Sequence, residues 1–547
     1  MLLHPLVIQP RVERSMSIHT TPRLHGWRFV LFNVLLGLGH MIILFNAGAY
    51  TALSPHTAGD LEGVSPSFAS WATTDFMIAL ALAFPIARWL SSRYGDVRVY
   101  VGAFIAFALA SMACALSESL WLFLPGRLLL GLAGGLTLPV GQTLLLDEYP
   151  DRLKSVGLGL WGIFALLPFT IGLALGGWIA DDLGWRSLFH ANTWAALAIG
   201  AMVALLLGRR SVNSRASTCD FVGWMLLAVV LIGIQTILNQ GNDFDWFDSP
   251  FLTAVLGVVL IAIPAFVIWE LGTPDPAVEL RLFTHRNYAL GVLILSAGFF
   301  CLQGLLSMFV VQLQLQMGYS SSLAGKEFLP MMLLGMPMLM AAHIYSISHR
   351  FDARLFASLT CLGFAGTYYW LGLFDEPPSF DQLFWPMLLE GLFLGSFFIP
   401  LNMLTLHGLP QHQVLRAAET ATLFRIAAGG FGISAQGIVL FRRTPFHHLH
   451  LADHFGGRAF ASYDPLQGVS ATFRDNGVEA ATMPARLGGL IQQQAAILSM
   501  NDAFLLSSSV FLALAALVWC AAPTRSAGIV AREDWQGRQA EELMEEV

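Results

Sequence analysis

Charged residues are scarce in this chain of 547 residues. Asp, Glu, Lys and Arg together make up 12% of it, whereas about a quarter of the residues of an ordinary soluble domain are charged. Lysine is almost absent, since only Lys154 and Lys326 occur. A chain without a stripe of basic residues lacks the electrostatic basis for binding a nucleic-acid backbone. The scarcity of charge therefore argues against a soluble fold and excludes a nucleic-acid partner.

Cysteine and catalytic motifs are equally sparse. The five cysteines include no CxxC pair, and all but Cys219 fall within apolar runs, where cysteine packs as a small apolar residue. The sequence has no phosphate-binding loop of the GxxxxGK[ST] kind, no nucleophile elbow and no helical HExxH. We therefore predict that the protein is not an enzyme and has no cofactor. Any work that it does must draw on an ion gradient or on the gradient of a solute.

Long apolar runs dominate what is present. Apolar residues make up 56% of the chain, and its mean hydropathy is +0.64. A helix needs roughly 20 apolar residues to cross a hydrocarbon core of about 30 Å. The sequence predicts an all-α polytopic membrane protein, and a bundle with so little mass outside the bilayer is typical of transporters. Its fourteen runs lie near 28–50, 68–88, 99–117, 120–146, 156–180, 187–208, 221–239, 251–270, 288–316, 327–347, 354–374, 383–406, 420–441 and 503–522.

The placement of arginine predicts the orientation in the membrane. Connections after even-numbered runs are basic, as at Arg93 and Arg98 after the second run, whereas the short odd-numbered connections are nearly free of Lys and Arg. Because basic loops remain in the cytoplasm, we predict that both termini are cytoplasmic. Long loops translocate regardless of charge, so the stretch 443–502 is predicted to face the periplasm.

A short repeat predicts two related halves. The sequence SSRYGDVR follows the second run at 91–98, and SHRFDAR follows the tenth at 348–354. Both contain Ser-x-Arg-aromatic and then Asp-x-Arg, which at equivalent points of two six-span halves favours a parallel duplication, one of the known transporter plans. The predicted organisation is a cytoplasmic segment 1–27, a six-helix bundle 28–208, a linker 209–275 with two extra helices, a second six-helix bundle 276–525 that includes the periplasmic loop 443–502, and a cytoplasmic tail 526–547.

Three separated stretches carry a family resemblance: GGWIADDLGWRSLFHAN at 176–192, DWFDSP at 245–250, and the segment 269–288 that leads into the ninth run. On these stretches the chain resembles the fourteen-span drug:proton antiporters of the major facilitator superfamily, the EmrB-type multidrug exporters. The resemblance implies a major facilitator fold of two six-helix bundles plus two inserted helices, and export of hydrophobic or amphipathic small molecules by proton antiport. It also implies the bacterial inner membrane and, in Gram-negative cells, a periplasmic membrane-fusion adaptor and an outer-membrane channel.

The chain departs from this family where the family couples transport to protons. Alignment through Pro55 places Asn46 where the family has an Asp in its first span, and an amide cannot exchange a proton. After the second span the family's Gly and Asp become Arg88 and Ser92, and in the fifth span Leu173 follows Gly172 where the family has Pro. The residues that occupy the family's gating motifs are Arg88, Ser92, Arg93, Gly95, Asp96, Arg98, Gly172, Gly176 and Gly177.

Ionisable residues inside spans are costly and are therefore candidates for proton coupling. A buried carboxylate near an arginine can exchange protons near neutral pH, because burial and the positive charge act in opposite directions. For each candidate the alternative is a polar group satisfied by a structural partner, such as a carbonyl or a lipid phosphate. The candidates are Asp75, Arg127, Glu390, Glu419 and Arg425.

Polar and aromatic residues of the central spans are candidates for lining a substrate cavity. Amide side chains at membrane depth should face protein or water, and Phe and Met offer adaptable apolar surface. The alternative is ordinary packing, or for the histidine a buried hydrogen bond. The candidates are His40, Asn46, Gln142, Phe300, Gln303, Gln312, Met331 and Asn402.

A histidine cluster lies in the predicted periplasmic loop. On a helix, His447, His450 and His454 share one face, with Asp453 nearby, and that spacing can bind zinc or copper. Histidine pairs are ordinary at this place in the resembled family. We therefore predict no metal site here and a partly helical loop that meets an adaptor protein.

Two functions remain open at this stage. The first is a proton-coupled exporter of amphipathic compounds, which Asp75, Glu390 and Arg127 favour. The second is a protein of transporter fold that no longer couples, either a passive facilitator or a ligand-binding sensor, which Asn46, Ser92 and Leu173 favour.

Overall fold

The computed structural model describes residues 24–61, 66–150, 153–208, 219–347, 352–455 and 483–524. These residues contain no β-strand, as expected of a backbone that must satisfy its own hydrogen bonds in hydrocarbon. The helices are α1 Trp27–Asp60, α2 Pro66–Tyr94, α3 Asp96–Ala115, α4 Leu120–Glu148, α5 Lys154–Trp178, α6 Arg186–Leu207, α7 Phe221–Gln240, α8 Pro250–Gly272, α9 Arg286–Leu315, α10 Ser321–Lys326, α11 Pro330–Ile347, α12 Ala353–Leu371, α13 Phe380–Leu406, α14 Gln411–Phe455 and α15 Met483–Leu517.

Every predicted apolar run corresponds to one long helix in the described part of the chain, where the additional helical segments are the six-residue α10 and short 3-10 and π-helical turns. Twelve helical stretches are long and apolar enough to cross a membrane by length and composition, and α5 and α12 are the two long helices outside that set. The all-helical membrane fold is therefore confirmed, while the number of crossings stays a prediction. The tail 526–547, most of the segment 1–27 and the centre of the loop 443–502 lie outside the described residues.

Two bundles of six helices repeat one packing scheme. In the first bundle α1 packs against α5, α2 against α4 and α3 against α6. In the second, α9 packs against α14, α11 against α13 and α12 against α15. Helices at equivalent places in the two halves therefore make equivalent contacts, as a parallel duplication requires.

A second internal repeat lies at the centre of each bundle. The pattern L-L-x-G-L-x-x-G occurs at 128–135 in α4 and at 388–395 in α13. A Cβ on Gly131 or Gly135 would overlap backbone of α2, and a Cβ on Gly391 or Gly395 would overlap backbone of α11. These glycines allow the paired helices to approach closely at matching heights, which puts α4 and α13 in equivalent positions.

The two inserted helices are bound to both halves. Helix α7 packs against α2 and α14, one from each half, and α8 packs mainly on α7. Gln235 of α7 donates a hydrogen bond to Ser434 Oγ of α14 at 2.6 Å, and Asn239 of α7 donates to Thr74 Oγ1 of α2 at 2.9 Å. Buried polar groups of this kind must be paired, so this network fixes the position of α7 at the junction.

Both described ends of the chain lie at the same end of the bundle. The Leu24 amide donates to Glu148, which ends α4, and the Ala522 amide donates at 2.7 Å to Asn287, in the first turn of α9. We call this the terminal end and the opposite one the far end.

The predicted periplasmic loop is partly helical. Helix α14 continues beyond its apolar run to Phe455, and α15 begins at Met483, within the stretch predicted as loop. Asp502 of α15 accepts from Arg443 of α14 at 2.5 Å and is bonded to His447 at 2.6 Å. The two helices therefore remain paired where their sequence becomes polar.

Candidate functional site

Arg127 is the most enclosed charge in the first half. It is fully buried, its Nε donates to the Ala72 carbonyl of α2 at 2.8 Å, and its Nη1 donates to Asn46 Oδ1 of α1 at 2.6 Å. The guanidinium also lies 4.2 Å from the centre of the Tyr50 ring and 4.7 Å from that of Phe76. Arg127 thus joins α1, α2 and α4 through polar and cation–π contacts.

Asn46 stands where the resembled family has an aspartate, and it contacts this arginine directly. Its neutral amide accepts a hydrogen bond from Arg127 but leaves the positive charge uncompensated, and Arg127 Nη2 has no hydrogen-bond partner among the described residues. Asp75 lies on α2 less than one helical turn after Ala72 and is close enough to attract Arg127 electrostatically. Asp75 is therefore the carboxylate available to balance the buried charge.

Glu390 is a buried carboxylate of the second half. It is 1% exposed and accepts a hydrogen bond of 2.9 Å from the hydroxyl of Tyr368 on α12. Tyr368 is itself fully buried among the rings of Phe364, Phe504 and Phe511. No described cation forms an ion pair with Glu390, so an ionised state would be costly at this depth.

Arg425 and His40 are charged or titratable candidates from opposite halves, and each packs against aromatic rings. Arg425 of α14 lies 4.8 Å from the ring centre of Phe398 and 5.5 Å from that of Phe299. His40 of α1 packs with its ring centre 4.2 Å from that of Trp161 on α5. Neither residue forms an ion pair with a carboxylate among the described residues.

Three of the other cavity candidates point into protein. Gln303 is buried and donates a long hydrogen bond of 3.4 Å to Ser307 of its own helix. Met331 is buried in the second half, where its backbone packs on Gly391. Gln312 has a buried Oε1 without a hydrogen-bond partner among the described residues. Met331 is thus placed as a packing residue, and the cavity role of the two glutamines stays a prediction.

The remaining cavity candidates are more accessible. Gln142 and Phe300 are half-buried, and Asn402 is exposed. Phe300 follows Phe299 on α9, beside the ring that contacts Arg425.

An ion-pair network closes the terminal end. Arg88 of α2 approaches Glu419 of α14 to 3.6 Å, across the two halves, and donates to the Pro276 carbonyl at 3.2 Å. Arg416 of α14 pairs with Asp275 at 2.7 Å. The segment between α8 and α9 is therefore held by an arginine from each half. We call this ion-pair network the latch. It contains Glu419, predicted as a proton-coupling candidate, and Arg88, predicted as a gating residue.

We expect Arg88→Gln to loosen this latch modestly. The pair is partly exposed and such pairs contribute at most about 1 kcal/mol, so the more open population should rise by about 2–5-fold. Electron–electron distance measurements between spin labels at Tyr94 and Leu415, both exposed at this end, would detect the change. Arg98→Gln, which removes an exposed charge from the same turn, is the matched control, and equal distance distributions in both variants would contradict the latch.

The other residues of the predicted gating turn make contacts within their own segment. Ser92 donates to the Trp89 carbonyl of its own helix at 2.8 Å, and Arg93 stacks on neighbouring rings of the turn. Gly95, with φ of 84°, separates α2 from α3, and Asp96 occupies the first turn of α3. A carboxylate there is favoured by the helix dipole. In the described part of the chain, Ser92 and Arg93 make no hydrogen bond or ion pair that joins the two halves.

The glycines of α5 close the far end. A Cβ on Gly172 or Gly176 would meet the backbone of α1, and one on Gly177 would overlap the backbone of α10 in the second half. Asp181, just after α5, accepts a hydrogen bond of 2.8 Å from the Ser322 amide of α10. The two halves are therefore in backbone contact at this end.

Sequence reasoning missed Glu327. It lies between α10 and α11, is 1% exposed, and neither carboxylate oxygen has a hydrogen-bond partner among the described residues. Asp381 at the start of α13 is close enough to repel it. Glu327 is the first residue of a predicted run, a place where an acid is ordinarily solvated, and the fold buries it instead. It joins the candidates for holding a proton, at the far end of the second half.

The histidine cluster contacts protein. His447 is bonded to Asp502, and His450 stacks on Phe446 with ring centres 4.3 Å apart. No group of three or more potential ligands that could hold a metal ion occurs among the described residues. The side chain of His454 lies outside what the structure describes.

Comparison with known proteins agrees with this architecture. The family model of the Major Facilitator Superfamily matches residues 36–435. The multidrug export protein EmrB of Escherichia coli K12 is 31% identical over 92% of this chain and 98% of its own length, and the fatty acid resistance protein FarB of Neisseria gonorrhoeae is 28% identical over 93% and 99%. A bacterial homologue of the human lysosomal transporter Spinster, solved in an inward-facing and unoccupied conformation, matches with a TM-score of 0.60, 15% identity, and coverage of 91% of this chain and 98% of that one.

The family model spans most of the chain, and the relatives align along nearly their whole length. The fold of two six-helix bundles is shared with transporters. The resemblance stated from the three sequence stretches is confirmed, and with it the conclusion that the protein is not an enzyme. The chain belongs to the Major Facilitator Superfamily, as a multi-pass membrane transporter of the EmrB multidrug-export type.

Proposed function

We propose that this exporter works by proton antiport with alternating access. The observation that carries the proposal is a carboxylate at membrane depth in each half. Asp75 lies within one helical turn of Ala72, whose carbonyl accepts from Arg127 in the first half, and Glu390 accepts from Tyr368 in the second. Ionisable groups at such depth are costly and typical of proton relays. The solutes are hydrophobic or amphipathic small molecules.

The contacts between the halves support a rocking mechanism. The far end is joined by backbone contact between α5 and α10, and the terminal end by the Arg88–Glu419 pair. Opening one end of the bundle requires breaking the contacts between the halves at that end. A proton or a solute that binds the two states with different affinity can then shift the equilibrium between them.

A second candidate function is an uncoupled facilitator or a ligand-binding sensor. The hydrogen bond between Asn46 and Arg127 favours it, because a neutral amide occupies the position of the family's carboxylate. In that case Asp75 and Glu390 would be structural polar groups and no proton would move with the solute.

The proposal extends to location and partners. The protein lies in a bacterial inner membrane with both termini in the cytoplasm, so the far end faces the periplasm. The paired extensions of α14 and α15 at that end offer a surface for a periplasmic membrane-fusion adaptor, which would connect to an outer-membrane channel. Support comes from the arginine asymmetry and from the helical extension to Phe455.

Proton flux in proteoliposomes tests the proposal. With a pH-sensitive dye enclosed and an imposed pH gradient, we expect an amphipathic dye such as ethidium to accelerate dissipation of the gradient only in vesicles that contain the protein. A facilitator would equilibrate the dye without moving protons, and a sensor would bind it without flux. Either result would contradict antiport, and protein-free vesicles provide the baseline.

A further inference from the structure

We infer that His56 is a proton-binding site at the far end of the bundle, and that a proton bound there stabilises the contact between the two halves. The ligand is a proton from the solvent that this end faces, and the atom that receives it is Nε2 of the imidazole. The inference goes beyond the proposed export mechanism, which depends on carboxylates at membrane depth. Only the side of the membrane from which the proton comes rests on the orientation proposed above.

Two hydrogen bonds around His56 join the halves. His56 of α1, in the first half, is bonded through Nδ1 to Ser321 Oγ of α10, in the second half, at 3.3 Å. The amide of Ser322, the next residue of α10, donates at 2.8 Å to Asp181, which follows α5 of the first half. Both bonds must break when the halves separate at this end.

The directions of neighbouring hydrogen bonds fix which nitrogen of neutral His56 carries a hydrogen. The amide nitrogen of Gln314 on α9 donates to the carbonyls of Ala52 and Val310, each at 3.2 Å. Its Oε1 is therefore the atom that accepts from the Ser321 hydroxyl, at 2.7 Å. A serine hydroxyl has a single hydrogen, so Ser321 Oγ accepts from His56 Nδ1. The neutral imidazole thus has its hydrogen on Nδ1 and a lone pair on Nε2.

That lone pair faces a carboxylate. Nε2 of His56 lies 3.8 Å from Asp181 Oδ1, so in the neutral form two electron-rich atoms face each other. A proton on Nε2 converts this arrangement into an ion pair. When the halves separate, Ser321 no longer fixes the ring, and neutral His56 is free to place its hydrogen on Nε2. The closed far end therefore binds a proton more tightly than the open one, and a bound proton favours closure by the same factor.

The site is accessible to solvent and titrates in a useful range. The side chain of His56 is 42% exposed, so protons reach it from the far end. Histidine is the side chain whose charge ordinarily changes between pH 5 and 8. The stabilisation is present at the acidic end of that range and is lost as the pH rises towards 8. In the proposed orientation an acidic periplasm favours closure of the far end, the step that returns an exporter to its cytoplasm-facing state.

The other charged groups on the surrounding helices have different positions or partners. Asp60 of α1 pairs with Arg186 of α6, and Arg127 of α4 bonds to Asn46, deeper in the bundle. The last two turns of α9 carry no charged residue. In the described part of the chain, Asp181 is the carboxylate that pairs with His56. The remaining charges of the elements around this site, which form no ion pair with His56 among the described residues, are Asp75, Glu118, Asp182, Lys326 and Glu327.

Electron–electron distance measurements between spin labels at Trp121 and Phe380 test the inference. Both residues are exposed, and they begin α4 and α13 at the far end of the two halves. The full-length protein is studied in phosphatidylcholine nanodiscs without a gradient or a solute, after Cys219 and Cys520, the two cysteines that are not buried, are replaced by serine. The ratio of closed to open far ends should rise about threefold from pH 8 to pH 5, an effect of the size of a partly exposed ion pair.

Three substitutions separate the parts of the site. His56→Gln should abolish the rise, because an amide still bonds to Ser321 but takes up no proton. Asp181→Asn removes the negative charge, leaves an acceptor for the Ser322 amide and should also abolish it, so it provides the second test if His56→Gln fails to fold. Ser321→Ala frees the imidazole and should weaken the rise. His190→Gln, which removes another exposed histidine at this end of the first half, is the matched control and should respond as the wild type does.

An undiminished pH response in His56→Gln, Asp181→Asn or Ser321→Ala would overturn the inference, as would a wild type whose distances do not change with pH or a response lost equally in His190→Gln. The outcome is separable from proton antiport, since nothing is transported in this experiment. A response that depends on His56, together with no proton flux in wild-type proteoliposomes, would uphold this site and refute antiport. Proton-coupled export with an unchanged response in His56→Gln would do the reverse.

Discussion

The Glu390→Gln variant should lose gradient-driven export while it still binds solute. Glu390 is 1% exposed, and among the described residues its partner is the neutral hydroxyl of Tyr368, with no cation to stabilise its ionised form. The amide keeps the size and the hydrogen bond but cannot carry a proton. Export against a gradient should therefore fall to the level of protein-free vesicles, whereas downhill exchange of the solute continues. Dye accumulation in inverted vesicles would measure the first, and counterflow the second.

Glu419→Gln is the matched control for this change. It is also a carboxylate replaced by its amide, but Glu419 lies in the terminal-end latch against Arg88. We expect it to alter the rate of export and to leave coupling intact. Tyr368→Phe removes the hydrogen bond alone and should reduce export only partly. Full uphill transport by Glu390→Gln would remove this residue from the mechanism.

The sequence predicted the helices well because lipid imposes a simple rule of length and polarity. Every apolar run became a helix, and helices at corresponding places of the two bundles make equivalent contacts. Helix ends were harder to predict. The thirteenth run ends near Phe441, where arginine and histidine lower the hydropathy, yet α14 continues to Phe455 because its polar face is paired with α15. Hydropathy indicates which residues lie in the bilayer, whereas pairing with a neighbouring helix determines where a helix ends.

The side-chain partners within the site could not be predicted from the sequence. Arg88 and Glu419 were singled out for different roles, and only the fold shows them as one ion pair. Met331 has a suitable chemistry for a cavity but sits in a close helix contact. Glu327 was passed over because burial at the start of a run depends on the neighbouring helix. Residue type and spacing identify candidates, whereas their pairing depends on contacts between distant segments.

Asn46→Asp should restore proton-linked export to a variant that has lost it through Asp75→Asn. Residue 46 accepts from Arg127 at 2.6 Å, so an aspartate there forms a buried ion pair and supplies the titratable group that Asp75→Asn removes. Export driven by a pH gradient should be absent in Asp75→Asn and should return in the double variant. Export rate against pH in proteoliposomes measures both.

Asn46→Asp alone should move the pH optimum of export upward by about one unit, because the new carboxylate shares Arg127 with Asp75 and two like charges in one low-dielectric site disfavour each other's ionisation. If the chain has instead lost coupling, the same substitution should raise proton-linked transport from a low level without such a shift. Asn192→Asp on α6, also a buried asparagine of the first half, is the control for adding a charge to the bundle and should neither shift the optimum nor rescue Asp75→Asn. An unchanged pH profile in Asn46→Asp, with no rescue, would mean that the contact with Arg127 is purely structural. Proton movement would then have to depend on the carboxylates of the second half, where Glu390 and Glu327 are buried without a described cation.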